Sequence, residues 1–98
     1  MEIKRAFVAT KSYEKSFKKF TANNEPLKLA IKKALLKLLD NPYDPSIRTH
    51  KLSGKLVTFL ACSCGYDCRI IFTIEKDKTI PALENIILVN IGTHNDVY

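Results

Sequence analysis

Residues 67–74 read DCRIIFTI, a stretch with the alternation of a strand that has one face buried. Period-two geometry places one set of side chains on a single face, where they can meet helices: Cys68, Ile70, Phe72 and Ile74. The other face then carries Asp67 and Arg69 as neighbours. We therefore expect a carboxylate and a guanidinium side by side on an open sheet surface.

Further apolar stretches on both sides of this segment predict more strands. Residues 56–62 and 84–91 have strand composition, and a short stretch at residues 3–8 predicts a first strand. Residues 63–65, Ser-Cys-Gly, suit a hairpin connection, and residues 75–81 form a more polar turn. The segments after residue 55 are typical of antiparallel strands.

Two helices are predicted between the first strand and the others. Thr10 and Ser12 are candidate N-caps, and Tyr13, Phe17 and Phe20 follow at intervals that place them on one helical face. This spacing predicts a first helix whose aromatic side packs inward.

The second helix is marked by a longer apolar stripe. Pro26 suits its first turn, and apolar residues recur with helical period over residues 27–39. Asp-Asn-Pro at residues 40–42 ends it, because the ring of Pro42 cannot continue a helix. The predicted fold class is α+β, with two helices packed on one antiparallel sheet in the order β-α-α-β-β-β.

Length and composition limit the remaining possibilities. The chain has 98 residues, enough for one domain over residues 1–98, and its 46% hydrophobic content is ordinary for a folded protein. No apolar run reaches the ~20 residues of a membrane span and no secretory signal is visible, so we expect a cytoplasmic protein without membrane contact. Cys62, Cys64 and Cys68 are odd in number and closely spaced, which favours free, reduced thiols.

A basic balance points to an anionic partner or to solubility alone. Sixteen Lys and Arg against ten Asp and Glu give a net charge of +6. The lysines of the second helix form either a solvated face or an RNA-facing stripe. Together with two lysines after the helix they are the candidate RNA or ribosome contacts: Lys28, Lys32, Lys33, Lys37, Lys51 and Lys55.

Three sequence motifs resemble those of a known group of proteins. They are NPYDPSIRTHKLSG at 41–54, YDCRIIFTI at 66–74 and NIILVNIGTHNDVY at 85–98. In this order they resemble the RelE/ParE superfamily of toxins and, within it, most closely the YafQ branch. The resemblance implies a ribosome-dependent endoribonuclease that cuts messenger RNA, and a cognate antitoxin that binds it in a hetero-oligomer.

The resemblance also implies roles for single residues. It assigns acid/base and positioning work to four of them: His50, Asp67, His94 and Tyr98. Arg69 becomes the cation that binds the phosphate. Some YafQ-like members have a histidine where this chain has Ser63 and an aromatic residue where it has Cys68. These departures leave open the rate, the codon preference and which group handles each proton.

Such a site needs neither metal nor cofactor, because RNA carries its own nucleophile, the 2′-hydroxyl. His50 is the candidate base and His94 the candidate acid, although the roles can be exchanged. Asp67 is either an acid/base partner or an orienting group.

Three other readings remain. The three cysteines with a histidine could bind zinc, but the sequence has one C-x₂₋₄-C spacing, Cys64-x₃-Cys68, and not the two ligand pairs of structural zinc sites. A ParE-like inhibitor of DNA gyrase would share the fold without catalysis. A toxin whose activity has decayed could persist as part of a regulatory complex.

Overall fold

The computed structural model describes residues 2–54 and 58–98 and contains five strands and three α-helices in these two segments. The strands are β1 Lys4–Ala9, β2 His50–Lys51, β3 Leu60–Ser63, β4 Arg69–Lys76 and β5 Leu83–Gly92. The α-helices are α1 Lys11–Phe20, α2 Glu25–Asp40 and α3 His94–Val97, and a single 3₁₀ turn, Pro45–Ile47, precedes β2. The α+β class is confirmed, with β2 and α3 as additions to the predicted order.

Both predicted helices begin and end where local signals place them. The Thr10 side chain accepts a hydrogen bond from the Tyr13 backbone N–H at 3.1 Å, which caps α1. Asn24 does the same for α2, with Leu27 as the donor at 3.1 Å. α2 ends at Asp40, two residues before Pro42.

All four predicted strands differ in their bounds, the first and the last by only one residue at each end, since β1 is Lys4–Ala9 and β5 is Leu83–Gly92. β3 begins at Leu60, and residues 56 and 57 of the predicted strand lie outside the described segments. β4 begins at Arg69, so Asp67 lies in the preceding loop and not on the strand. Its φ of +49° is left-handed, which an extended strand does not accommodate.

The sheet has the strand order β1-β5-β4-β3-β2. Three of its four pairings are antiparallel, among them the two predicted ones that join β3, β4 and β5, but β1 runs parallel to β5 and not antiparallel as predicted. The reason is the connection between β1 and β2. This connection, which contains α1 and α2, leaves β2 pointing opposite to β1, and the three antiparallel steps from β2 to β5 then bring β5 beside β1 in the same direction.

The main core lies between the helices and one face of this sheet. It contains the predicted inward residues of β4, among them Ile70 and Phe72, packed with Ile31 and Leu38 of α2. The predicted face assignment of β4 is therefore confirmed. Burying such side chains provides ~1.5–3 kcal/mol each, which fixes the sheet against the helix pair.

The opposite face of the sheet is less open than expected. Val97 of α3 packs there on Ala61 and Ile71, both of which are almost fully buried. The expectation of a polar, exposed face is wrong at this end, because a single helical turn covers two apolar strand residues. None of the helices in the described segments is long and apolar enough to cross a bilayer.

The loop between β3 and β4 is closed by a disulfide bond that joins Cys64 to Cys68. The prediction of three free thiols is wrong for these two residues. Backbone hydrogen bonds across the loop, from Cys64 N–H to Cys68 O and from Cys68 N–H to Gly65 O, set their Cα atoms 5.0 Å apart, within the range that a disulfide spans. The sequence predicted a hairpin connection at residues 63–65, but it did not indicate that the connection brings Cys64 and Cys68 within bonding distance.

Candidate active site

The short helix α3 positions His94 and Tyr98. Thr93 and Asp96 form a capping box: the Asp96 backbone N–H donates to Thr93 Oγ1, and the Thr93 N–H donates to Asp96 Oδ2, each at 3.2 Å. His94 and Tyr98 are four residues apart and lie on the same side of the turn. Their rings meet edge to face, with centroids 4.5 Å apart.

His50 reaches the same place from the edge of the sheet. β2 pairs with β3 so that His50 lies opposite Ala61, the residue on which α3 packs. Its Nδ1 lies 3.0 Å from the Arg48 carbonyl oxygen. In the tautomer that donates this bond, Nε2 keeps its lone pair and can accept a proton.

The two histidines line one hollow of about 320 Å³, named here the histidine hollow. Its walls also include Lys51, Ser53 and Tyr98. Burial raises the pKa of Tyr98, so its phenol keeps its proton at neutral pH. A ring with a neutral hydroxyl can stack on a base and donate a hydrogen bond.

A second hollow, of about 610 Å³, contains Arg69 and is named the arginine hollow. The Arg69 Nη1 group donates to Ser63 Oγ at 3.1 Å and to the Cys68 carbonyl oxygen at 2.9 Å. Within residues 2–54 and 58–98, its Nε and Nη2 groups have no hydrogen-bond partner. One side of the guanidinium is thus fixed while the other can bind an anion.

Asp67 connects the two hollows. It lines the arginine hollow, and its Oδ1 accepts a hydrogen bond from the His94 backbone N–H at 3.0 Å. No ion pair joins Asp67 to Arg69 among the described residues, although the sequence placed them side by side. The left-handed backbone of Asp67 turns its carboxylate toward α3 instead.

A third hollow, of about 650 Å³, lies along the same sheet face and meets the histidine hollow at Lys51. Its lining is largely apolar and includes Phe59, Ile87 and Val89. It is the largest of the three, but no histidine or arginine lines it. We call it the apolar groove.

Comparisons with known proteins identify the family of this chain. The family model described as "Bacterial toxin of type II toxin-antitoxin system, YafQ" matches residues 5–98. The chain belongs to the YafQ family. No curated protein sequence matches it significantly.

Solved structures show the same fold at low sequence identity. A copper-bound mutant toxin from Helicobacter pylori is 24% identical with a TM-score of 0.74, and each chain is covered completely. YafQ from E. coli is 17% identical with a TM-score of 0.71, covering 96% of this chain and 98% of that one. The E. coli DinJ-YafQ toxin-antitoxin complex gives 19% identity and a TM-score of 0.70, covering 98% and 99%.

Two residues of this YafQ-family site were not singled out in the sequence. Arg48 lines the arginine hollow as a second guanidinium, and Tyr66 lines it with a fully exposed ring. Arg48 lies two residues before His50, and Tyr66 directly precedes Asp67. Adjacency to those motif residues was the only sequence signal for them.

The predicted lysine contacts are divided between the two sides of the sheet. Lys51 lies in β2 and lines the histidine hollow. The four lysines of α2 belong to the helix layer, across the sheet from α3, and Lys37 there donates to Ser46 Oγ at 2.9 Å. Lys55 lies outside the described residues. The structure therefore does not bring the α2 lysines to the two histidines.

Proposed function

We propose that this YafQ-family toxin is an endoribonuclease that cuts messenger RNA on the ribosome. The observation that carries the proposal is that His50 and His94, 44 positions apart in the sequence, line one hollow. A cleavage that needs one base and one acid fits such a pair. A pure binding protein has no need of it.

The reaction uses the 2′-hydroxyl of RNA. One histidine takes the proton of the 2′-oxygen, which attacks the adjacent phosphorus. The bond from phosphorus to the 5′-oxygen breaks, and the other histidine gives that oxygen a proton. The products are a 2′,3′-cyclic phosphate and a 5′-hydroxyl end. His50 is the proposed base because its Nδ1 contact leaves Nε2 as an acceptor, and His94 is the proposed acid.

Arg48 and Arg69 are the proposed binding groups for the phosphate of the cleaved bond. Negative charge builds up on the non-bridging oxygens as the phosphorane forms, and preorganised donors stabilise it. Arg69 is held on one side by Ser63 and the loop backbone, which aims its remaining N–H groups into the arginine hollow. Arg48 adds a second positive charge there. Tyr98 and Tyr66 offer rings on which bases can stack.

The basic charge suits the ribosome as the place of action. The α2 lysines belong to the helix layer and do not line the histidine hollow, so we assign them to ribosomal RNA. Lys37 is the one nearest the site, because it donates to Ser46, which lines the arginine hollow. Lys51, at the edge of the histidine hollow, is assigned to the message itself.

The test is cleavage of a translated message by purified toxin on purified ribosomes. His94→Ala, His50→Ala and Arg69→Ala should each lower the rate by about 10²- to 10⁴-fold, because each removes a group that acts in the transition state. Lys18→Ala, an exposed charge on α1, is the matched control and should cleave at the unmodified rate. A folded His94→Ala protein that cleaves as fast as the unmodified toxin would contradict the proposal. Intact messages together with inhibited DNA gyrase would favour the ParE-like alternative.

We also propose an antitoxin partner that covers this face, since the E. coli relative was solved as a toxin-antitoxin complex. An acidic amphipathic segment could place apolar side chains in the apolar groove and carboxylates near Arg48 and Arg69. Titrating the product of the adjacent gene into the toxin should inhibit cleavage, with association slowed by salt. Tight binding without inhibition would contradict coverage of the site.

A further inference from the structure

We propose that Asp67 is a positioning residue, which fixes His94 through the backbone of α3 and carries no proton in the reaction. The proposal rests on the proposed ribonuclease function and assigns a role within the same site. It is carried by the contact between Asp67 Oδ1 and the His94 backbone N–H at 3.0 Å.

The loop holds the Asp67 carboxylate in one place. The disulfide between Cys64 and Cys68 closes the loop around Asp67, and two backbone hydrogen bonds cross it. The φ of Asp67 is +49°, a conformation that Asp and Asn adopt more readily than most residues. The backbone that carries the Asp67 carboxylate is therefore constrained, which a residue that positions another one requires.

The helix that Asp67 contacts, α3, is too short to be oriented by its own hydrogen bonds. The first N–H groups of a helix have no partner within it, and a helix of four residues has few internal bonds to orient it. The capping box satisfies the N–H groups of Thr93 and Asp96. The His94 N–H points away from that box, and Asp67 accepts it from 27 residues earlier in the chain.

The close packing at the end of β5 makes the position of α3 sensitive to this contact. A Cβ placed on Gly92 would lie 2.9 Å from Asp96 Cβ, so the turn sits directly on the strand. Gly92 of β5 lies opposite Arg69 on the neighbouring strand β4. Asp67 thus ties His94 to the segment that carries Arg69, and it sets the spacing between the proposed acid and the phosphate-binding cation.

The chemistry does not need a third proton carrier. His50 and His94 supply one base and one acid, which balance the reaction. The oxygen of Asp67 that contacts α3 is occupied by an N–H of the protein itself. Holding that N–H requires an acceptor and not a titrating group, so an amide oxygen can replace the carboxylate.

The experiment compares three substitutions of Asp67. Asp67→Asn keeps an oxygen acceptor and tolerates the left-handed backbone, while Asp67→Ala and Asp67→Gly remove the acceptor. Glycine in addition avoids the strain that alanine meets at positive φ. We expect Asn to cleave within about threefold of the unmodified toxin, and Ala and Gly to lose about 10- to 100-fold, the scale of a misplaced reacting group.

Two readouts separate positioning from acid/base catalysis and from loss of folding. The pH–rate profile of the Asn variant should keep both of its limbs. Amide hydrogen exchange at His94, followed by NMR, should be fast in the Ala and Gly variants and slow in Asn. Asp77→Ala is the matched control: it removes a carboxylate that accepts backbone N–H groups in the distant β4–β5 turn, and it should leave cleavage unchanged.

The outcomes are distinct. An Asn variant as inactive as the Ala variant, with one limb of the pH profile lost, would establish Asp67 as a proton carrier and overturn the proposal. Full activity in all three variants would overturn it as well. The exchange measurement needs no RNA cleavage. If it shows the expected pattern in a toxin that cuts no message, the proposed function has failed while the positioning contact stands.

Discussion

The three cysteines lie within seven positions of the sequence but differ in chemical state. Cys62 is fully buried, and burial raises the pKa of its thiol to about 12 despite the positive charge of Arg69 nearby. Cys64 and Cys68 are joined to each other. A thiol reacts as its thiolate, so Cys62 is protected in the folded protein by both its burial and its protonation.

Alkylation counted by mass spectrometry checks these assignments. At pH 8, iodoacetamide should add no group to the folded protein purified without reductant. Denaturation should give one addition per chain, and denaturation with a reductant should give three. Three additions without a reductant would show that the disulfide is absent.

Arg48 allows a second test at the scale of one side chain. It lines the arginine hollow with a φ of +53°, so Arg48→Asn removes the charge at little backbone cost. We expect weaker RNA binding and a salt slope, log Kd against log salt, that is smaller by about one, as for the loss of one phosphate contact. Fluorescence anisotropy on single-stranded RNA measures both. Arg48→Lys keeps the charge and should retain the slope; a slope unchanged in Arg48→Asn would remove Arg48 from the interface.

The turn between β4 and β5 shows how one carboxylate can organise an element. Asp77 Oδ1 accepts the backbone N–H groups of Thr79 and Ile80, and Oδ2 accepts from Asn85 Nδ2. These hydrogen bonds, led by that of Thr79, lower the pKa of Asp77. A lowered folded-state pKa contributes stability above the unfolded value of ~3.9, and this contribution is lost as the pH falls through the folded value.

Asp77→Asn should therefore lower the melting temperature at pH 7 by more than it does near pH 3. The measurement is thermal unfolding followed by circular dichroism at a series of pH values, with the unmodified protein melted in parallel. A deficit that stays constant from pH 7 to pH 3 would mean that the charge of Asp77 contributes nothing to the turn.

Elements with local signals were predictable, and elements that depend on distant contacts were not. Thr10, Pro26 and Pro42 mark the ends of α1 and α2 within a few residues of chain, so both helices could be located from the sequence. β2 has two residues and α3 has four, too few for any periodicity to register.

The site divides in the same way. His50 and His94 could be selected because the motifs that contain them resemble those of a known toxin family and because imidazole suits acid/base chemistry, and they do line one hollow. The contact of Asp67 with α3 depends on a positive φ and on a partner 27 residues away, neither of which an alternation pattern contains. Arg48 lies in a segment without periodicity, so only the folded structure associates it with Arg69.

At the scale of the whole molecule, the proposed site draws on every strand after β1, including β3, whose Ser63 holds Arg69. His50 comes from β2, Arg69 from β4 and His94 from the turn that follows β5. β5 also lies inside the sheet, between β1 and β4. A chain cut after residue 82 should lack both the partner of β1 and the whole of α3. We expect it to show an unfolded circular dichroism spectrum, and a cooperative melt from that fragment would contradict this view of the sheet.

The parallel pairing of β1 with β5 also determines when the sheet can form during protein synthesis. Lys4 is aligned with Leu83, so a ribosome must add 79 further residues before the first strand meets its partner. At ~5–20 residues per second this takes roughly 4–16 s, during which β1 has no partner strand in the sheet. Until β5 and the residues after it have been made, neither the complete sheet nor α3 with His94 exists, so the growing chain lacks the proposed site for most of its synthesis.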